Sequence, residues 1–163
     1  MYTRDAMITD VQCCQEQDTL QHAASLMWQH DCGSIPVLDR DNRPIGMLTD
    51  RDIAMAAMLN NCSLSDLTAK QVMGRHPIIT CRTSSSLERC LALMEEHEIR
   101  RIPVVDEEGR LAGIISMGDA VAFTSDGQEV GRRRRESGVS SDKTLSMLRN
   151  VSAHHGPTSS TLQ

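Results

Sequence analysis

Ser34-Ile35-Pro36-Val37-Leu38-Asp39, followed by Gly46-Met47-Leu48-Thr49-Asp50-Arg51-Asp52, returns 67 residues later as Arg101-Ile102-Pro103-Val104-Val105-Asp106 and Gly113-Ile114-Ile115-Ser116-Met117-Gly118-Asp119. A fixed period of this length marks a repeated supersecondary unit. The same shift sets Leu20 on Leu87, Met27 on Met94, His30 on His97 and Arg43 on Arg110 without a gap. Further upstream, Ala6-Met7 corresponds to Val72-Met73 if one residue is inserted near Pro77.

Each copy reads alike. Leu20, Ala23, Ala24 and Met27, and likewise Leu87, Cys90, Leu91 and Met94, fall at i, i+3, i+4 and i+7, the buried stripe of an amphipathic helix. Two strands follow in each copy, 34–39 with 44–49 and 101–106 with 111–116, joined by polar turns. A second helix begins at Asp50 or Met117, and a brief strand at 11–14 or 78–81 precedes the first helix. One β-α-β-β-α unit has too few strands to bury its own apolar face, so two are expected to pack sheet to sheet about a pseudo-two-fold axis. The expected fold class is α/β, of the α+β kind, with repeats at 1–62 and 63–124 and a polar, mostly disordered tail at 125–163. A weak helix at 141–151 could present Leu145, Leu148 and Val151 on one side.

The two in-register copies resemble the halves of a cystathionine-β-synthase (CBS) domain pair, or Bateman module, over about residues 5–124. Thr49-Asp50-Arg51-Asp52-Ile53 and Met94-Glu95-Glu96-His97, running on through Arg100-Arg101 to Pro103-Val104, look most like the small stand-alone bacterial members. The resemblance implies that clefts between the repeats bind AMP, ADP or ATP, or S-adenosylmethionine, as regulatory ligands. No cofactor is required, and a homodimer shaped as a flat disc is implied.

Thr49 and Ser116 stand where a strand ends and a helix begins, a place that suits an anion. Asp52 and Asp119, three residues on, are acceptors able to take two vicinal ribose hydroxyls. The resemblance assigns these pairs to phosphate and ribose, whereas Ser/Thr-x-x-Asp is equally a form of capping box. Gly46 and Gly113 either admit a close ligand or mark a strand bend. Arg100 and Arg101 face Gly33 and Ser34 in the alignment, and Arg51 faces Gly118, so these cations are one-sided. Each either binds phosphate or is solvated or paired, with Glu95, Glu96 and Glu98 in reach. Pro36 and Pro103 remove a strand amide and favour an irregular edge; the resemblance places this backbone along an adenine pocket. Without an aromatic nearby, the purine would lie between Ile35, Ile102, Met47 and Ile114.

Composition narrows the function. Residues 1–124 carry eleven basic and eighteen acidic side chains, which argues against nucleic acid as a general partner. Arg132, Arg133, Arg134 and Arg135 leave a polyanion-binding tail as an alternative. No nucleophile and base form a constellation, and His30 and His97 read as structural, so no enzyme is expected. The six cysteines lack metal-ligand spacing and read as free thiols in a reducing cytoplasm, and no apolar run suits a membrane span. The helix through Ile53, Ala54, Met55, Ala56, Ala57, Met58 and Leu59 is apolar all round. With its counterpart Ala120-Val121-Ala122-Phe123 it is the expected dimer surface, and a regulated partner protein is left unnamed.

Overall fold

The computed structural model describes residues 1–74, 77–122 and 146. Apart from residue 146, the expected tail and its weak helix, and with them Phe123, lie outside the described residues. The elements are α1 (Thr3–Ala6), β1 (Cys14–Gln15), α2 (Leu20–Gln29), β2 (Ser34–Leu38), β3 (Pro44–Thr49), α3 (Asp50–Asn60), α4 (Ala69–Val72), β4 (Cys81–Arg82), α5 (Leu87–Glu96), β5 (Arg101–Val105), β6 (Leu111–Ser116) and α6 (Met117–Ala122).

They form two three-stranded sheets, ordered β1-β2-β3 and β4-β5-β6. In each, the first strand runs parallel to the second and the second antiparallel to the third. The pairings Ile35↔Leu48 and Val37↔Gly46 reappear as Ile102↔Ile115 and Val104↔Gly113, with a register shift after Val37 and after Val104. Left-handed residues also recur at the repeat offset: Asp31 and Glu98 after the first helix of each copy, Asn42 and Gly109 in the hairpin turns. Strands β1 and β4 start three residues later than the apolar runs at 11–14 and 78–81 suggest. Only Cys14-Gln15 and Cys81-Arg82 reach partners, at the far ends of β2 and β5.

Helices α2 and α5 begin at hydroxyl caps, Thr19 Oγ1 accepting from the His22 amide and Ser86 Oγ from that of Arg89, both at 3.2 Å. They bury Leu20, Ala23 and Met27 in one case and Leu87, Cys90, Leu91 and Met94 in the other. Two cores result, one per sheet. Leu20, Ile35, Val37 and Leu48 centre the first, Leu87, Met94, Ile102 and Ile115 the second. Each fully buried Leu or Ile contributes about 1.5–3 kcal/mol relative to exposure. Cys14, Cys81 and Cys90 are buried in these cores, and burial pushes the Cys14 thiol up to about 12, with Asp18 adding to the shift. A neutral thiol there packs as a small hydrophobe.

The segments that complete these cores are exchanged. Helix α1, ahead of the first repeat, packs on the second: the Thr3 amide donates to the Ser85 carbonyl at 2.8 Å, and Ala6 joins the core of Leu87 and Ile102. Ile8 and Ile114 exchange two backbone hydrogen bonds of 2.9 Å, which covers the outer edge of β6. Helix α4, ahead of the second repeat, packs on the first. The Ala69 amide donates to Asp18 and that of Leu20 to Leu67, both at 2.9 Å, and Ala69 joins the first core. Each small sheet is thus closed by a piece of chain from across the molecule, which meets the shortage of apolar cover that one unit faces alone. Between the two sheets the Leu111 amide donates to Asn42 at 2.9 Å, and Arg101 reaches Ser34.

Candidate functional site

Both β-strand-to-helix junctions carry closed capping boxes. Asp52 Oδ2 accepts from the Thr49 amide at 2.9 Å and from Thr49 Oγ1 at 2.7 Å, while Thr49 Oγ1 accepts from the Asp52 amide at 3.0 Å. Asp119 and Ser116 repeat this at 2.8, 2.7 and 3.3 Å. The structural alternative left open by the motif is therefore realised at both places. It does not exhaust the carboxylates, because every cap contact falls on Oδ2 and the other oxygen of each remains an acceptor.

The two junctions differ electrostatically. At the first, the Asp50 amide donates to the Gly33 carbonyl at 3.1 Å and the Arg51 amide to the Asp50 carboxylate at 2.7 Å. Asp50 is read from the sequence as a helix start without a site role, although an acid at the head of a helix was a usable signal. At the second junction, the Met117 amide donates to the Arg100 carbonyl at 2.9 Å, and Met117 and Gly118 take the places of Asp50 and Arg51. Arg51 and Arg101 are exposed, and Arg101 Nη1 donates to Ser34 Oγ at 3.0 Å.

Strand alternation separates the remaining candidates. Ile35 and Ile102 are 1% and 0% exposed in the two cores, on the same face as Leu48 and Ile115. This corrects the expectation that their side chains line a purine pocket. Pro36 with Met47, and Pro103 with Ile114, occupy the opposite faces. The prolines are not on edge strands, since β2 and β5 are central in their sheets. They are tolerated because β1 and β4 pair only from Val37 and Val104 onward, leaving a local edge beside each proline. Gly46 and Gly113 point at the exchanged segments: a Cβ there would lie 2.7 Å from Met73 Sδ and from Met7 Sδ, respectively. The close approach each glycine permits is by these methionines. Their recurrence as Ala6-Met7 and Val72-Met73 was the visible trace of that packing.

Two cavities lie near the junctions, and neither is lined by Thr49, Asp52, Ser116 or Asp119. One, of about 360 Å³, is bordered by Val11, Leu38, Asn42, Arg110 and Leu111, at the hairpin-turn end of the sheets. The other, of about 520 Å³, lies between α2 and α3 and is lined by Ala24, Trp28, Gly33, Asp50, Ala54 and Ala57 among others. Among the described residues no three His, Cys, Asp or Glu side chains gather as a metal-binding group, and no helix is long and apolar enough to cross a membrane.

The CBS domain model matches residues 4–59 and 69–126, so the match takes in both halves of the repeat. The chain belongs to the CBS domain family. Hypoxic response protein 1 of Mycobacterium tuberculosis is 39% identical over 116 residues, which cover 71% of this chain and 80% of that one. Its crystal structure, with two coordinated zinc ions, superposes with a TM-score of 0.66 at 37% identity, covering 73% of this chain and 95% of that one. The CBS domain-containing protein YhcV of Bacillus subtilis is 35% identical over 132 residues, 78% of this chain and 89% of that one. Among solved CBS pairs, PAE2072 of Pyrobaculum aerophilum, complexed with AMP, has the same fold at 23% identity, with a TM-score of 0.64 over 74% of this chain and 90% of that one.

Proposed function

We propose that this CBS pair is a non-catalytic regulatory module that binds an adenine nucleotide, AMP, ADP or ATP, at the two Ser/Thr-x-x-Asp junctions. The observation that carries the reading is the duplicated junction itself. Asp52 and Asp119 each hold an acceptor oxygen beyond the cap, at equivalent places in two repeats that meet at Arg101 and Ser34. That oxygen suits a ribose diol, and the guanidinium suits a phosphate. The complex of PAE2072 with AMP supports the ligand class. Pro36 with Met47, and Pro103 with Ile114, would flank the purine.

Occupancy acts through differential affinity: a ligand that touches both repeats favours whichever arrangement brings its two contact sets together. A thermal-shift panel of AMP, ADP, ATP, S-adenosylmethionine and NAD tests this reading. A rise with adenine nucleotides supports it. Stabilisation by S-adenosylmethionine alone would reassign the ligand, and no shift with any of the five would leave a structural module.

The surface that would transmit occupancy is the outer face of α2 and α3. Trp28 is 89% exposed, Met58 61% and Leu59 73%, beside the cavity lined by Ala54 and Ala57. We read this face as a homodimer interface, since an exposed apolar patch of this kind is costly in a monomer. Met58→Lys is expected to convert a dimer to a monomer in sedimentation at micromolar concentration. A wild-type monomer, or an unchanged dimer in the variant, would defeat this assignment.

A further inference from the structure

Among the described residues Thr3 and Ser34 are the buried polar side chains, and both reach the other repeat: Thr3 Oγ1 meets Cys81 Sγ and the Ser85 carbonyl, whereas Ser34 meets a charged group, Arg101. Ser34 is 8% exposed, and its Oγ accepts from Arg101 Nη1 at 3.0 Å. The two positions are also equivalent in the repeat, 67 residues apart. A serine and an arginine at equivalent positions of the two repeats thus bond to each other, and the pair makes the two repeats differ there.

The strand register shows what the asymmetry does. Arg101 starts β5 opposite Ser116, whereas Ser34 starts β2 opposite Thr49. The guanidinium therefore leaves the strand end that carries the Ser116–Asp119 junction and finishes at the end that carries Thr49–Asp52. Ser34 uses one of its five N–H donors. Among the described residues no carboxylate forms a salt bridge with it. The first junction also holds the Asp50 carboxylate, which would lie 3.3 Å from a Cβ on Gly33. An anion arriving there needs a compensating cation, and Arg101 is held in place by Ser34 to supply it.

We propose that Ser34 is a positioning residue that fixes Arg101 at the Thr49–Asp52 junction, so that this cleft, and not its Ser116–Asp119 counterpart, selects phosphate-bearing over neutral adenosyl ligands. The inference rests on the nucleotide reading and deepens it. Preorganising a rotamer-rich arginine lowers the ordering cost at the moment of binding.

The test is calorimetric titration of wild type, Ser34→Ala and Arg101→Gln with AMP and with adenosine. Arg101→Gln is expected to lower the ratio of AMP to adenosine affinity at the tighter site by about tenfold, the scale of hydrogen bonds to a charged group. Ser34→Ala is expected to lower it by roughly threefold, as a lost neutral hydrogen bond would. Adenosine affinity stays at the wild-type value in both. Should alanine at the buried position prevent folding, Ser34→Cys, close in size and a poor acceptor, gives the same loss. Equal weakening of AMP and adenosine, or an unchanged ratio in Arg101→Gln, overturns the proposal while leaving the nucleotide reading intact. Failure of wild type to bind either ligand removes the nucleotide reading and this inference with it.

Discussion

Titrated with AMP, the Asp52→Ala and Asp119→Ala variants are each expected to lose binding at one junction by about 1.5–3 kcal/mol, the scale of hydrogen bonds to a charged group. The same substitutions open a capping box, so a stability loss of about 1 kcal/mol is expected without ligand. The two effects separate on addition of nucleotide. At about 100 times its dissociation constant a ligand stabilises the wild-type fold by roughly 2.7 kcal/mol. A carboxylate that only caps would lower the ligand-free melting temperature and leave that increment whole. A carboxylate that also takes the ribose diol removes much of it. Asp52→Asn sharpens the comparison, because an amide oxygen can still accept from the Thr49 amide while the charge is gone. Calorimetric titration and melting with and without AMP read out both quantities. Full AMP affinity in the double alanine variant would reduce both junctions to helix caps.

The junctions themselves were legible because their chemistry is local. Thr49 to Asp52 spans a single turn, and its recurrence at Ser116 to Asp119 locates both helix starts from sequence. The hairpins β2-β3 and β5-β6 and the stripes of α2 and α5 were equally plain, since alternation and the i, i+3, i+4 spacing are set by neighbours in the chain. What the motif could not reveal was the division of labour within it. Cap and ligand site ask for the same residues at the same spacing, and the structure shows the cap closed through Oδ2 alone.

Other features depend on partners distant in sequence, and these were read less well. Ile35 and Pro36 are adjacent, so one must face the core and the other the opposite side. Nothing in their order says which, and it is the pairing of Ile35 with Leu48 beneath α2 that decides. Strands β1 and β4 exist only where β2 and β5 extend far enough to meet them. The exchange of α1 and α4 between repeats is invisible to any pattern confined to one copy. It surfaced in the sequence as a methionine preserved at equivalent positions and a glycine in each opposing strand.

That exchange yields the largest expected stability difference between two equivalent sites. A Cβ at Gly113 would stand 2.7 Å from Met7 Sδ, 2.8 Å from Met7 Cγ and 2.8 Å from the Ile8 carbonyl oxygen. At Gly46 the three atoms nearest a Cβ all belong to the Met73 side chain, Sδ at 2.7 Å and Cβ and Cγ at 3.2 Å. Methionine has three rotatable bonds and yields readily, so Gly46→Ala is expected to cost about 1 kcal/mol. The carbonyl of Ile8 cannot swing aside without breaking the backbone hydrogen bonds it shares with Ile114. Gly113→Ala therefore adds overpacking of about 1–3 kcal/mol to the loss of one or two backbone hydrogen bonds worth about 1 kcal/mol each. The expected total is about 2–5 kcal/mol, enough to threaten a marginally stable domain. Hydrogen exchange localises the cause: in Gly113→Ala the Ile8 and Ile114 amides should lose protection ahead of the rest of β6, as the segment carrying α1 peels away. Denaturant melts showing equal costs for the two glycine variants would mean that α1 is held too loosely for its backbone to resist, and that the crossing segments contribute cover without fixing the fold.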